Sequence, residues 1–298
     1  MNLIGEYKNG NCAVKIYENG TKVRYTDDDE FYPEFAESLD VRITSRCGQG
    51  CAWCYEGNKP NGVDADLLGD EYIDLVDSFH PFTEVAIGGN DLNHPQLDGF
   101  LNLMRIKQVI VNVTVSQSQC ITNLEKLAKL QEYGLIRGVG VSLEHPNDEL
   151  FSALKTLRHV VVHVVYGLAS KSDIESLSNN GVVLLVLGYK KKGRGTTYFA
   201  KHQDEIAKNQ KYLLKSLPKL KEGFNAVCFD NLAVKQLSLK KLVGEKEWEM
   251  SYMGNDGEFS FYIDLVKGEY GKSSTSTSMK KINGMNVDQM FESFKNKK

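Results

Sequence analysis

The sequence predicts an α/β protein built on a parallel sheet, open or curled toward a barrel, and two observations carry that expectation. Short apolar runs rich in Val and Ile recur at Leu39–Thr44, Glu84–Gly88, Val109–Val115, Gly138–Leu143, His159–Tyr166 and Val182–Gly188. Their nearly continuous apolar character predicts strands covered on both faces. Stretches with helical periodicity separate them: Leu68, Tyr72, Leu75 and Phe79 share one face, as do Leu124, Leu127 and Leu130, and Leu150, Leu154 and Leu157. Strand and helix alternating this many times require crossover connections, and crossovers make neighbouring strands parallel.

The chain of 298 residues, 41% hydrophobic and 25% charged, can bury a full core and does not have the composition of a disordered protein. Its 36 basic and 39 acidic residues leave a net charge of −3. That balance argues against polyanion binding, nucleic acid included, as the main activity. The longest apolar runs, Val160–Val165 and Val182–Leu187, are far shorter than the ~18–20 residues of a membrane span. Met1–Glu6 lacks the basic and apolar regions of a signal peptide, so a cytoplasmic location without membrane attachment is expected. Six cysteines in a chain of this length make no disulfide scaffold, and three of them fall between positions 47 and 54.

Taken in order, Ala13–Tyr17 and Lys22–Tyr25 flank Glu18-Asn19-Gly20-Thr21, and Asn-Gly predicts a tight hairpin because both residues tolerate positive φ. The acidic run Asp27–Glu30 separates this hairpin from the alternating region. After the helical stretch His202–Leu220 the rhythm changes. Asn225–Phe229 reads as a seventh strand, Glu258–Leu265 as a later antiparallel strand, and Ser273–Ser278 as a peripheral tract. The expected division is a hairpin extension over 1–38, a central unit over 39–222 and a C-terminal αβ extension over 223–298.

Directly after the first strand of the alternating region comes Arg46-Cys47-Gly48-Gln49-Gly50-Cys51-Ala52-Trp53-Cys54-Tyr55. Three thiols on one short loop suit an iron–sulfur cluster, whose irons take thiolate sulfur. Four irons and three local cysteines would leave one iron open to another ligand. A structural zinc site normally closes with four ligands and uses paired Cys-x2-Cys units, so this spacing fits zinc poorly. Zinc with His80 or His94 as a fourth ligand, or plain buried thiols, is the alternative.

Cys47, Cys51 and Cys54, with Trp53 before the last cysteine and the lead-in Leu39-Asp40-Val41-Arg42-Ile43-Thr44, resemble the signature of the radical S-adenosylmethionine (SAM) enzymes. The resemblance spans about Leu39 to Leu220. It implies a partial (βα)6 TIM-type barrel and a [4Fe–4S] cluster held by Cys47, Cys51 and Cys54. SAM would chelate the open iron and be cleaved by one electron to methionine and a 5′-deoxyadenosyl radical. It also implies a reducing partner of flavodoxin or ferredoxin type. By the same resemblance, Trp53 lies at the cofactor site, and Gly88, Gly89 and Asn90 hold the methionine end of SAM. Asn90 stands where the family carries an acidic residue, with Asp91 one step later. Ser142 first, then Ser116, would contact SAM at the ends of their strands, where an ordinary strand-end cap is the competing explanation. Gly188 and Tyr189 mark the edge where family members lay the adenine. The basic run Lys190–Arg194 beside them is either a solvated loop or a grip for an anionic group.

Of the other cysteines, Cys12 and Cys120 are expected to be buried and inert, and His163, between valines, to be a satisfied core histidine. Cys228 is the candidate for a further catalytic role. If Asn225–Phe229 is a strand, alternation puts Ala226 and Cys228 on one face, where a weak S–H bond could return hydrogen to a substrate radical. The expected substrate is a peptide or protein residue. Alternatives are a small-molecule substrate, the activation of a glycyl-radical partner, and an iron–sulfur redox sensor that never cleaves SAM.

Overall fold

The computed structural model describes residues 2–88 and 91–295. At the N-terminus, β1 (Leu3–Asn9), β2 (Cys12–Tyr17) and β3 (Lys22–Tyr25) form an antiparallel three-stranded sheet. The Asn19-Gly20 turn joins the last two, with Gly20 at φ +86°. One face of β2, made of Cys12, Val14 and Ile16, is buried and packs with Phe82 and Ile110. The small sheet therefore docks on the main body at the N-terminal ends of its strands. Lys22 adds an ion pair to Glu84 at 2.6 Å, and Arg24 reaches Glu37 at 2.8 Å while its guanidinium stacks over Phe259.

Among the described residues the main sheet has ten strands: β4 (Ser38–Arg42), β5 (Glu84–Gly88), β6 (Ile110–Ser116), β7 (Gly138–Ser142), β8 (Val160–Val165), β9 (Val183–Leu187), β10 (Ala226–Phe229), β11 (Ser260–Asp264), β12 (Glu269–Gly271) and β13 (Lys280–Lys281). From β4 to β10 every strand lies beside its successor in the chain, and every pair is parallel. The sheet is open among the described residues, with β10 at one edge and β13 at the other. The strand expected to be antiparallel, β11, pairs antiparallel with β12 but parallel with β4, so the parallel array gains a member from the C-terminal end of the chain. Pattern could not show this, because its partner lies more than two hundred residues away.

Helices fill the crossovers: α1 (Ile73–Asp77), α2 (Leu97–Ile106), α3 (Gln117–Thr122), α4 (Leu124–Glu132), α5 (Asp148–Thr156), α6 (Lys171–Leu177), α7 (Arg194–Lys201) and α8 (Gln203–Gly223). The remainder are α9 (Asn231–Leu237), α10 (Glu245–Ser251) and α11 (Val287–Glu292). Side-chain oxygens accept from orphan backbone N–H groups at several starts: Asn147 begins α5, Ser170 and Asp173 form a capping box on α6, and Asp230 begins α9. The first helix is shorter than its apolar face suggests. Tyr72, Leu75 and Phe79 are buried, but Leu68 lies outside the helix and is half-exposed.

These helices cover one face of the parallel sheet. Val85, Ile87, Val111, Val113, Val115, Val139, Val141, Val162, Val164, Leu184 and Val186 are all at most 2% exposed. They join Phe100, Met104, Leu127, Leu150, Leu177 and Leu213 of the helices in one core. Most alternate residues of the same strands, from Ala86 and Thr114 to His163 and Leu185, are only partly covered, although Gly138 and Gly140 of β7 are buried. The expectation of strands covered on both faces is thus corrected. Val populates both faces of β8, and Val and Leu both faces of β9, so composition hid an alternation that burial reveals.

On the less covered face, β4 and β11 are tied by a buried pair, with Arg42 Nη1 donating to Asp264 Oδ2 at 2.9 Å. Arg42 also reaches Asn58 Oδ1 at 2.5 Å and Glu56 at 3.6 Å. Asp264→Ala would leave a buried guanidinium short of its counter-charge, at a cost of about 3–5 kcal/mol. Urea unfolding should register that loss; a change below ~1 kcal/mol would show that Asn58 and Glu56 compensate it.

Candidate active site at the cysteine loop

The segment after β4 leaves the sheet at its C-terminal edge and doubles back on itself. Ser45 N donates to Val63 O at 2.8 Å and Cys47 N to Lys59 O at 2.8 Å, so residues 45–63 form a hoop closed by backbone hydrogen bonds. Asp64 secures its base by accepting from Thr44 Oγ1 and from Arg46 Nη2 at 2.6 Å. Cys47, Cys51 and Cys54 sit within this hoop as free, half-buried thiols.

Burial pushes the Cys51 thiol up, and the neighbouring Cys54 and Cys47 sulfurs push it in the same direction. A thiol crowded by two neighbouring sulfurs suits a shared cation, since iron coordination stabilises thiolates together. In donor chemistry the loop therefore fits a [4Fe–4S] group. Among the described residues no three His, Cys, Asp or Glu side chains are already assembled as metal ligands, so the thiols would have to close around a cluster. The two histidines considered for zinc are committed elsewhere. His80 pairs with Asp288 at 2.9 Å and stacks on Phe35. His94 is buried, with Nε2 at Ala65 O and Nδ1 accepting from Gln96 N.

The hoop opens beside the ends of β6 and β7. Ser116 ends β6 and caps α3: its hydroxyl accepts from Gln119 N at 3.2 Å, and Gln119 Oε1 accepts from Ser116 N. Ser118 Oγ lies 2.9 Å from both Gln49 Oε1 and Glu144 Oε1, and 3.0 Å from Ser116 Oγ. Gln49 belongs to the cysteine motif itself, so this network ties the hoop to the sheet. The sequence reading missed Ser118, Gln49 and Glu144. A signal for Glu144 was present, since it stands two residues beyond Ser142 and strand periodicity would keep both on one side.

Register places the other candidates. Ser116, Ser142, His163, Leu185 and Cys228 form one row across β6 to β10, on the less covered face. Cys228 is exposed, whereas Cys12 and Cys120 are buried and burial pushes the Cys120 thiol up to about 11. Gly88 ends β5 with room for a side chain, its nearest neighbour being Thr114 at 3.6 Å. Gly89 and Asn90 lie outside the described residues. Gly188 abuts α9, where a Cβ would come within 2.6 Å of the Leu232 Cβ, and its N–H donates to Asp230. Tyr189 is 3% exposed, and its hydroxyl donates to Gly195 O at 2.8 Å. Trp53 meets Tyr198 edge to face. The tract expected at the periphery is pulled inward, because Ser274 is buried between two basic side chains, Lys190 at 2.9 Å and Lys192 at 3.0 Å. A cavity of 340 Å³ lies at the opposite end of β4, β5 and β11, lined by Lys22, Arg24, Glu37, Ser38, Glu84 and Ser260 among others.

Residues 41–185, just under half of the chain, match the family model of the Radical SAM superfamily, a superfamily of enzymes. It is similar to two structures of SuiB from Streptococcus suis. With SuiB bound to precursor peptide SuiA the TM-score is 0.58 at 14% identity, covering 89% of this chain and 66% of that one. With SuiB bound to S-adenosylmethionine the values are 0.59, 13%, 89% and 67%. The chain thus spans about two thirds of the SuiB chain. No curated protein matches it in sequence. No helix is long and apolar enough to cross a membrane among the described residues.

His163 is not the satisfied core histidine its flanking valines suggest. Its Nδ1 is buried without a hydrogen-bond partner among the described residues, and its ring lies across Gly140, where a Cβ would come within 2.6 Å of Nε2. Burial lowers its pKa from 6.5 to about 4. Between those values the unfolded chain binds the extra proton, so stability contributed by the neutral ring falls as the solution is acidified from pH 6.5 toward 4. His163→Phe should remove up to about 2–3 kcal/mol of that acid-dependent loss. Unfolding at pH 7 and pH 4.5 measures it, and equal pH slopes in both proteins would contradict it.

Proposed function

We propose that the chain is a single-cluster radical SAM enzyme acting on a peptide or protein residue. The observation that carries this reading is the placement of three free thiols on one hooped loop at the C-terminal edge of a parallel sheet, beside a face that the helices leave less covered. In this reading β4 to β9 form the partial (βα)6 barrel, with the small N-terminal sheet and the segment after 222 as its extensions. Cys47, Cys51 and Cys54 hold the cluster, and Gly88, Gly89 and Asn90 face the methionine end of SAM. Bound together, a [4Fe–4S] cluster and SAM would supply one-electron cleavage to a 5′-deoxyadenosyl radical. Ser142 and Glu144 offer acceptors toward the ribose side, while Gly188 and Tyr189 shape the edge beyond β9.

The substrate class rests on fold likeness to a peptide-binding neighbour and on the row of side chains that faces the open side. Cys228 stands at the end of that row. We assign it transfer of hydrogen from its S–H bond to a carbon-centred substrate radical, forming a C–H bond and leaving a thiyl radical. One electron from the flavodoxin- or ferredoxin-type donor and one proton from solvent then restore the thiol. Cys228→Ala should still release 5′-deoxyadenosine but stall before product. Normal product at the normal rate would reduce Cys228 to a packing role.

Anaerobic reconstitution should load about four irons per chain. With dithionite and SAM, the loaded protein should yield 5′-deoxyadenosine. Substituting Cys47, Cys51 and Cys54 together by Ala should abolish both. Full iron in that triple variant, or tightly held zinc in the native protein, would overturn the assignment. A loaded protein that never cleaves SAM would favour a redox sensor instead.

A further inference from the structure

We propose that Arg194 is a positioning residue for the cysteine hoop, one that fixes its backbone and sets an unneutralised positive charge beside the thiols. The inference rests on the cluster reading of that hoop. Arg194 opens α7, yet it is turned back toward the cysteines. Its Nε donates to Cys51 O at 2.9 Å, its Nη1 to Asn58 O at 3.0 Å, and its backbone N–H to Cys54 O at 3.1 Å. One residue thus grips three carbonyls on the hoop, two of them belonging to cysteines. A planar fork can bridge Cys51 and Asn58 at once; an ammonium on a flexible stem is a single point charge.

The neighbouring glycines make this approach possible. Gly193 has φ +54°, and a Cβ there would collide with Tyr55 O and lie 3.1 Å from Cys54 O. A Cβ on Gly195 would lie 3.1 Å from Trp53 O and 2.6 Å from Lys190 O. Backbone therefore packs directly against backbone, and Tyr189 holds the arrangement from behind through Gly195 O. The guanidinium partners are carbonyls, and no carboxylate lies within ion-pair distance of it among the described residues. Both of its side-chain hydrogen bonds thus go to the hoop, and its charge stands beside it without a carboxylate partner among the described residues. A fixed positive charge favours the more negative, reduced form of a cluster bound there.

Two variants separate the two parts of the role. Arg194→Gln removes both the charge and the fork, while Arg194→Lys keeps the charge and loses the fork. In the metal-free protein, trypsin should cut at Lys59 about tenfold faster in both variants, with the far-UV spectrum unchanged. In the reconstituted protein, a chelator should strip iron about tenfold faster from both. At a fixed potential the oxidised-to-reduced ratio should rise about tenfold in Arg194→Gln alone, a shift of 59 mV for one electron. Native rates of cleavage and iron release in both variants would overturn the positioning role. A potential that moves equally in both, or in neither, would overturn the charge assignment. If the native chain takes up no cluster, the radical reading fails by itself, and the cleavage rates at Lys59 still decide whether Arg194 holds the hoop.

Discussion

Backbone pairing from β4 to β10 in strict chain order sets the terms for everything else in this molecule. Each connection must return to the same edge, and each does so with a helix or a helix pair that buries its apolar stripe on one face of the sheet. Period-2 alternation then sends every second side chain to the other face. The buried set is almost wholly Val, Ile and Leu, whereas the other carries Asp40, Arg42, Asn112, Thr114, Ser116, Ser142 and His163. Stability and chemistry are thereby divided between two faces of the same strands.

The polar face is costly to maintain, and the structure shows how it is maintained. Arg42 donates to Asp264 and Asn58 and stands 3.6 Å from Glu56, although its Nε makes no hydrogen bond among the described residues. Asn112 Oδ1 accepts from Gly138 N at 2.9 Å, satisfying a backbone donor in the next strand. Where matching stops, groups are perturbed. Asp40 is reached by solvent yet crowded by protein. That desolvation raises its carboxyl, Lys190 opposes the change, and Asp230, Asp256 and Glu56 reinforce it. His163 is left neutral with an orphan nitrogen. Such unmatched groups gather on the side where the thiols open, as expected of a surface shaped for a ligand rather than for packing.

The hoop itself has little local reason to hold its form. Gly48 and Gly50 stand in the open, and a Cβ at either would meet nothing within 4 Å among the described residues. Its shape comes from its ends, from Asp64 and from contacts made by distant segments. Ser118 and Glu144 approach from the β6 and β7 side, and Arg194 from the far end of the array. The cysteine loop thereby joins elements that the chain places about seventy to one hundred and forty residues apart.

By itself the sequence determined the alternation of strand and helix, the Asn19-Gly20 hairpin and the cysteine spacing, because each depends on periodicity or on neighbours within a few residues. Lys22–Tyr25 and Glu84–Gly88 were legible to the residue and the other strands that the sequence predicts to within one or two positions at each end, whereas β1, β12 and β13 were not legible. The tertiary structure alone decided that β11 joins β4, that one sheet face is covered more fully than the other, and that His163 Nδ1 lacks a partner among the described residues. It also decided that Ser274 is drawn inward by Lys190 and Lys192, and that Arg194 grips the hoop. Each of these depends on which residues meet across long separations. A one-dimensional pattern records which side chains are apolar, but not which distant carbonyl or carboxylate a charged one will find.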